Sequence, residues 1–303
     1  YGIDISLPRM VYAKVAYPPA HGSTHNSVDD SAARKIPGFL LTVITPQVVA
    51  VVAETYLAAV AARDALLITW NDGPNASVNS DEIWSRFKRR VESENGRSWV
   101  KKGDAQTALK RADRVVSHTY ITDIVAHLQM EPVNATAEFR DGVMHIYCGT
   151  QYPTRLVKQV AELCQLAEES IRVHGQFMGG GFGSLLETEW HVNAAIIAKQ
   201  IGRPVKLMLS REEDTANDCF LSPTDQKLTC GLAADKTVSG WQHRAVAAWP
   251  SKRHDVFLDR NGFDSYALSG ADHHYQISDQ HVLAIEEDLG TPVGYVRGVA
   301  CGY

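Results

Sequence analysis

The stretch Gly175-Gln176-Phe177-Met178-Gly179-Gly180-Gly181-Phe182-Gly183-Ser184 carries the strongest chemical signal in this sequence. Four of the five residues at 179–183 are glycine, and the fifth is Phe182. Glycine lets a backbone approach a ligand closely and takes turns that other residues resist. Where such a run joins a strand to a helix, backbone N–H groups and the positive end of the helix dipole converge on one spot. That is the build of an anion or phosphate cradle. Glu169 to Val173 supplies the predicted strand, and a helix is predicted from near Ser184 to about Ile201. Neither common phosphate motif fits. A G-x-G-x-x-G run from Gly179 needs glycine where Ser184 stands, and a P-loop needs lysine where Ser184-Leu185 follows. Taken by itself, the loop leaves open a tight turn that packs a helix against a sheet.

Other residue types offer less. Cys148, Cys164, Cys219, Cys230 and Cys301 show no C-x-x-C spacing, so neither a zinc knuckle nor an Fe–S cluster is encoded, and each reads as a small buried apolar residue. His273 and His274 are adjacent, and H-E-x-x-H does not occur, so no histidine metal site is indicated. The 303 residues, 45% hydrophobic and 21% charged, suit about two globular domains. A net charge of −5 gives a nucleic-acid role no electrostatic support. No apolar run is long enough to span a bilayer; Glu54 interrupts the nearest, Val48 to Ala62. The Tyr-Gly-Ile-Asp start, without Met or a basic leader, reads as a processed start or a piece of something longer.

The elements that must position the loop follow from periodicity and turn chemistry. Before about residue 100, strands are predicted at Val11 to Ala16, Phe39 to Thr45, Val48 to Val52 and Leu67 to Trp70, with a helix over Ala53 to Leu66. Residues 71–103 read as a connection with one short helix near Asp81 to Arg90. Beyond it, Asp104 caps a helix through Ala112, and Val115 to Ile121 alternates as a strand. Arg140-Asp141-Gly142 marks a hairpin inside Glu138 to Tyr147. Pro153 opens a helix to Leu166, and Gly202 with Pro204 stops the helix after the glycine loop. Val205 to Leu209 is a strand, and Lys227 to Ala233 pairs with Val238 to Ala248. The pattern is α+β, not a doubly wound nucleotide fold. Arg211-Glu212-Glu213-Asp214 reads as a solvated charge run, and Glu131 as an acceptor that fixes a loop.

At this point the sequence resembles a known family: the large, molybdenum-cofactor-binding subunit of the xanthine dehydrogenase and aldehyde oxidase superfamily. Within it, the resemblance is to the isoquinoline 1-oxidoreductase beta-subunit branch of aldehyde-dehydrogenase-like enzymes. Carrying it, in the family's order, are Tyr1-Gly2-Ile3-Asp4 to Leu7-Pro8, Val11-Tyr12-Ala13, Ser27 to Ala33 with Ile36-Pro37-Gly38, His127 to Ala137 with Met130-Glu131-Pro132-Val133-Asn134, Gln151 with Pro153, the 179–183 loop, Ser210 to Asp214, and Arg297-Gly298-Val299.

The resemblance implies an α/β hammerhead domain over 1–100, followed over 101–303 by the first, incomplete part of a molybdopterin-binding domain. It implies oxidation of aldehydes or hydroxylation beside a ring nitrogen, with water as oxygen source. A pterin, expected as molybdopterin cytosine dinucleotide, holds the metal, so no protein ligand to it is required. Gly179, Gly180, Gly181, Phe182 and Gly183 would line the cofactor, with Phe182 also near the substrate. Gln151 matches the glutamine that hydrogen-bonds an apical oxo group, and Arg297 with Gly298 a later cofactor-contacting loop. Electrons would leave through a small subunit with two [2Fe–2S] clusters, and a cytochrome c is a candidate acceptor. A periplasmic location is favoured slightly over a cytoplasmic one.

Two departures shape the expectation. Ser184, Leu185 and Leu186 stand where xanthine dehydrogenases carry Gly-Lys-Glu, which implies a more apolar pocket than a purine needs. The family's Gly-x-Gly-Glu motif, with its general base, is absent. The sequence therefore reads as the front half of a larger subunit, or one member of a split one, completed by a C-terminal Mo-binding segment. Two alternatives stand beside this reading: a structural or assembly module without turnover, and a phosphate-ligand binder.

Overall fold

The computed structural model describes residues 1–46, 48–93, 95–253, 258–259, 261–271 and 273–297. Two compact units are interleaved along the chain: Tyr1–Ala76 with His127–Asp218, and Ser77–Ala126 with Cys219–Tyr303. The resemblance-based division, by contrast, cuts the chain once, near residue 100.

The first unit is built on a seven-stranded mixed sheet among the described residues. Its order is Ile171–Gly175, Val143–Cys148, Asn134–Arg140, Val205–Met208, Val11–Val15, Val49–Ala53 and Phe39–Ile44. Val11–Val15 lies parallel to Val205–Met208, and Ile171–Gly175 parallel to Val143–Cys148; the other neighbours are antiparallel. Alternate residues point to one face, so Ala13, Ala50, Ala135, Ile146 and Leu207 form a continuous buried layer. Against it pack the helices Pro153–Cys164 and Glu189–Ile201, through Leu156, Val160 and Ile197. Pro153 sits in the first turn of its helix, where the missing N–H loses no bond. Gly202, at φ 66°, ends the other helix in the left-handed region. The opposite face, at Val51, receives the helix Tyr56–Asp64 through Ala62.

The second unit holds a five-stranded sheet ordered Arg97–Lys102, Gln280–Glu286, Val238–Ala247, Thr224–Leu232 and Arg114–Thr122. The amphipathic helix Ser80–Glu92 presents Ile83, Phe87 and Val91 to Val246, Ile285 and Leu289. Asn79 caps it by accepting the Glu82 N–H at 3.0 Å. The helix Ala105–Arg111, capped by Asp104, packs on Val238–Ala247 where Gly240 leaves room for Ala108.

This mixed architecture bears out the α+β reading. The strands Thr24–Asp29, Arg97–Lys102 and Gln280–Glu286 have no counterpart among the sequence expectations. Each takes its strand form from a neighbour: Leu67–Asn71 for the first, Gln280–Glu286 for the second, Trp241–Ala247 for the third.

Candidate functional site

The strand Ile171–Gly175 enters the glycine loop alongside Val143–Cys148, and the Gln176 N–H closes the pairing on the Cys148 carbonyl at 2.9 Å. The helix predicted from Ser184 begins later. Ser184–Leu186 is a single 3-10 turn, and the α-helix starts at Glu189. Gly183, at φ 110°, breaks the path before the turn, and the Thr188 hydroxyl at the N-cap position bonds Gln159 instead of the helix end. The loop therefore lacks the helix-dipole assistance that a direct strand-to-helix turn provides. Its backbone is special in another way. Gly180, Phe182 and Gly183 all have positive φ, at 107°, 52° and 110°. For Phe182 the left-handed region costs roughly 1–2 kcal/mol, and the surrounding bonds hold it there.

Those bonds come from two neighbouring segments. Glu131 acts as the post: its carboxylate accepts from Gly179 N–H at 2.7 Å, from Ile3 N–H at 2.9 Å and from Asn134 Nδ2 at 2.9 Å. Its own N–H donates to the Gly179 carbonyl at 3.0 Å. Gln151 supplies the second anchor, its Oε1 accepting the Gly183 N–H at 3.1 Å. A backbone N–H can face only the carbonyl end of that amide, so the Nε2 donor group of the exposed Gln151 points away from the bond. The glycines make this closeness possible. A Cβ on Gly179 would lie 2.5 Å from Glu131 Cβ, and one on Gly181 2.8 Å from Gln151 Oε1.

Among the described residues, the amide N–H groups of Gly180 and Gly181 have no partner, although Gly181 is buried. The buried Ser184 hydroxyl is likewise unpaired. Buried polar groups are nearly always paired, so the buried Gly181 N–H and Ser184 hydroxyl stand out, with the half-buried Gly180 N–H beside them. Beside them Met130, Phe177, Met178 and Phe182 stay exposed, Met130 at 88% and Phe177 at 84%. Unpaired donors bordered by apolar side chains suit a planar, polar-edged group such as a pterin.

The His127–Glu131 segment carrying the post is fixed from behind, by residues the sequence reading took for a solvated charge run. Ser210 caps the short helix Arg211–Ala216 in a reciprocal capping box with Glu213. Glu213 also takes the Lys14 ammonium and the Arg63 guanidinium; burial pushes its carboxyl up, but Lys14, the Ser210 N–H and Arg63 together hold it below the ordinary range. Asp214 is buried and accepts from Arg211 at 2.7 Å and from Gln129 Nε2 at 3.1 Å. Desolvation pushes its carboxyl up to about 6, against the pull of Arg211 and with the help of Asp218. Arg211 also donates to the carbonyls of Gln129 and Met130, and Asp218 grips the His127 ring and N–H. The solvated reading holds for the exposed Glu212 and fails for Glu213 and Asp214; Ser210 and Glu213 already spell a capping box, which places the run at a helix start. Gln129 and Asp218 carry no such local signal.

Two acids follow the loop closely in sequence. Glu187 is buried, 3.8 Å from Arg155. Glu189 lies in the first turn of its helix. Arg297, in the second unit, is an exposed turn residue at φ 46°; Gly298 lies outside the described residues, as does Cys301. Cys148, Cys164 and Cys219 are buried and Cys230 half-buried, with no disulfide among them.

Residues 88–257 match the molybdopterin cofactor-binding domain family. Gln151 and the glycine loop fall inside that stretch, while Arg297 lies beyond it. The chain is 31% identical to the membrane-bound aldehyde dehydrogenase (pyrroloquinoline-quinone) of Gluconacetobacter polyoxogenes, over 100% of this chain and 42% of the relative. It is 30% identical to isoquinoline 1-oxidoreductase subunit beta of Brevundimonas diminuta, over 99% of this chain and 40% of the relative. The chain thus spans about two fifths of the length of these relatives. Among solved structures, quinoline 2-oxidoreductase from Pseudomonas putida 86 superposes with a TM-score of 0.78 at 17% identity, over 99% of this chain and 44% of that one. Aldehyde oxidoreductase from Desulfovibrio gigas gives 0.76 at 17% identity, over 97% and 37%. With the family matched over more than half its residues and the fold shared, this chain belongs to the molybdopterin-binding proteins of the xanthine dehydrogenase and aldehyde oxidoreductase superfamily.

Proposed function

We propose that this chain is the cofactor-cradling part of a molybdenum-dependent oxidoreductase that acts on aldehydes or N-heterocycles. One observation carries the reading: the unpaired Gly180 and Gly181 N–H groups lie in the loop that Gln151 anchors, beside that residue's free Nε2. When bound, the molybdenum cofactor supplies two-electron oxidation with water as the oxygen source. The two glycine amides would donate to acceptor atoms of the bound cofactor. Gln151 uses its carbonyl to fix the loop, and its Nε2 would donate to the bound group. Phe182, 46% exposed, shields the reacting side from water. Arg297 and Gly298 are carried over as cofactor-contacting residues on the family resemblance alone, and the cytosine dinucleotide form of the cofactor is the expected one. Residues 1–100 are assigned as the hammerhead domain and 101–303 as the first part of the cofactor domain.

The remaining parts of the reaction are assigned outside these residues. Glu187 is held beside Arg155, and the sequence has no Gly-x-Gly-Glu, so the general base comes from a C-terminal Mo-binding segment or subunit. Electrons pass to a small subunit with [2Fe–2S] clusters and from there to an acceptor such as a cytochrome c. Periplasmic residence suits that acceptor. Among the described residues no helix is long and apolar enough to cross a membrane.

Metal analysis with pterin fluorescence on the purified assembly tests the assignment. Molybdenum and pterin in stoichiometric amounts support it; neither, or a quinone cofactor in their place, sinks it. The Gln151→Ala variant should then keep most of its cofactor while turnover falls about 10–100-fold. Wild-type turnover in that variant would reduce Gln151 to a loop anchor.

A further inference from the structure

A second cleft, of about 150 Å³, opens in the first unit away from the glycine loop's orphaned amides. Its walls include Tyr17, His25, Val49, Trp70, Glu189 and Asn193. A volume of about 150 Å³ holds one aromatic ring. His25 and Trp70 are direct cross-strand neighbours in the ribbon of Thr24–Asp29 and Leu67–Asn71, so the register itself brings those rings to one wall. Glu189 and Asn193 are four residues apart on one helix and so stand one above the other on the facing wall.

Asn193 is the informative residue. It is 3% exposed, its amide has no hydrogen-bond partner among the described residues, and it lines the cleft. The rest of its helix is buried by apolar packing, with Val192, Ala194, Ala195, Ile196 and Ile197 all in the core. A carboxamide in such a row, reaching the cleft it lines, finds its hydrogen bonds there, from water or from a ligand. The lining contains no lysine or arginine, while Glu189 brings a carboxylate. Burial first, and then Glu189, keep the Tyr17 phenol well above the ordinary tyrosine range, so its hydroxyl stays neutral. With no lysine or arginine in the lining and the Glu189 carboxylate beside it, an anion is disfavoured here.

We infer that the cleft between Trp70 and the Glu189–Asn193 helix face binds a single-ring aromatic cation. The ring lies against Trp70 and Tyr17, where a cation gains from the aromatic faces. The cationic N–H groups donate to the Glu189 carboxylate and the Asn193 carbonyl. The site does not depend on the cofactor assignment, and its test is read without molybdenum loaded.

Benzamidinium is the probe and benzoate its charge-reversed control, both followed by calorimetry and saturation-transfer NMR on the purified protein. Benzamidinium should saturate one site, with benzoate at least tenfold weaker. Asn193→Leu, which keeps the side chain's branching without its polar atoms, should weaken benzamidinium at least tenfold while its unfolding midpoint stays level or rises. If that variant loses its fold, Glu189→Gln decides, and a tenfold loss is again expected. Absence of saturation, equal affinity for benzoate, or wild-type binding in Glu189→Gln overturns the site. None of these outcomes touches the cofactor content on which the proposed function stands.

Discussion

Gly142 and Gly181 are the same residue type used for opposite reasons. Gly142 follows Asp141 in the hairpin joining Asn134–Arg140 to Val143–Cys148, and both turn residues have positive φ, 52° and 77°. A Cβ added at Gly142 would meet nothing within 4 Å. There glycine serves the backbone rotation that a two-residue hairpin turn demands. Gly181 has no positive φ and is buried, and its missing Cβ is what lets Gln151 Oε1 come close, at 2.8 Å from the point a Cβ would occupy. There glycine serves proximity. The first need is written in a dipeptide, the second only in the three-dimensional neighbourhood, and substitutions at the two should fail differently.

The largest expected effect is at the crowded position. Gly181→Val drives side-chain atoms into Gln151, displaces its carbonyl from the Gly183 N–H and spoils the row of free amides. Molybdenum occupancy of the assembled enzyme should fall severalfold or more, and turnover with it, while the unfolding midpoint changes little because the loop contributes few core contacts. Unchanged occupancy with unchanged rate would remove the loop from the cofactor site.

What was legible in the sequence follows the same division. Asp104, Pro153, Gly202 and Asp141-Gly142 act within a few residues of themselves, and each delivers the cap, start, stop or turn that its type predicts. Gln151, singled out only through family resemblance, does meet the glycine loop. Thr24–Asp29 was not legible: its polar sequence Thr-His-Asn-Ser-Val-Asp carries no strand periodicity, and Leu67–Asn71 imposes the form. The delayed helix start was missed because Ser184 looks like a cap, whereas Gly183 turns the chain first and Ser184 heads a 3-10 turn. The pairs Gln129–Asp214 and His127–Asp218 are not legible as a network because their members lie more than eighty positions apart.

That network sharpens the comparison, since it holds the wall against which the crowded glycines lean. Asp214 titrates near 6 in the folded protein against 3.8 ordinarily, so its proton is bound more tightly when folded. The stability it contributes is complete below the unfolded value and is lost as pH rises through the folded one. Across that window the loss is up to about 3 kcal/mol. Asp214→Asn should remove this component, so thermal midpoints between pH 4 and 6.5 should slope less steeply downward with rising pH than in the parent. Parallel profiles would show that Asp214 stays ionised throughout, held by Arg211.

The smallest effect belongs to the open turn. With nothing within 4 Å, Gly142→Ala meets no clash, and only the left-handed backbone objects, at roughly 1–2 kcal/mol. Asn tolerates that region because its short side chain bonds locally, so Gly142→Asn should recover most of the loss. Denaturation midpoints of the two variants measure the difference, and cofactor content should match the parent in both. The pair isolates rotation from room: a glycine needed for rotation is rescued by asparagine, while one needed for room is not. Asparagine at 181 should therefore fail where asparagine at 142 succeeds. Rescue at both positions would mean that Gln151 simply swings aside, and that the close approach in the glycine loop constrains nothing.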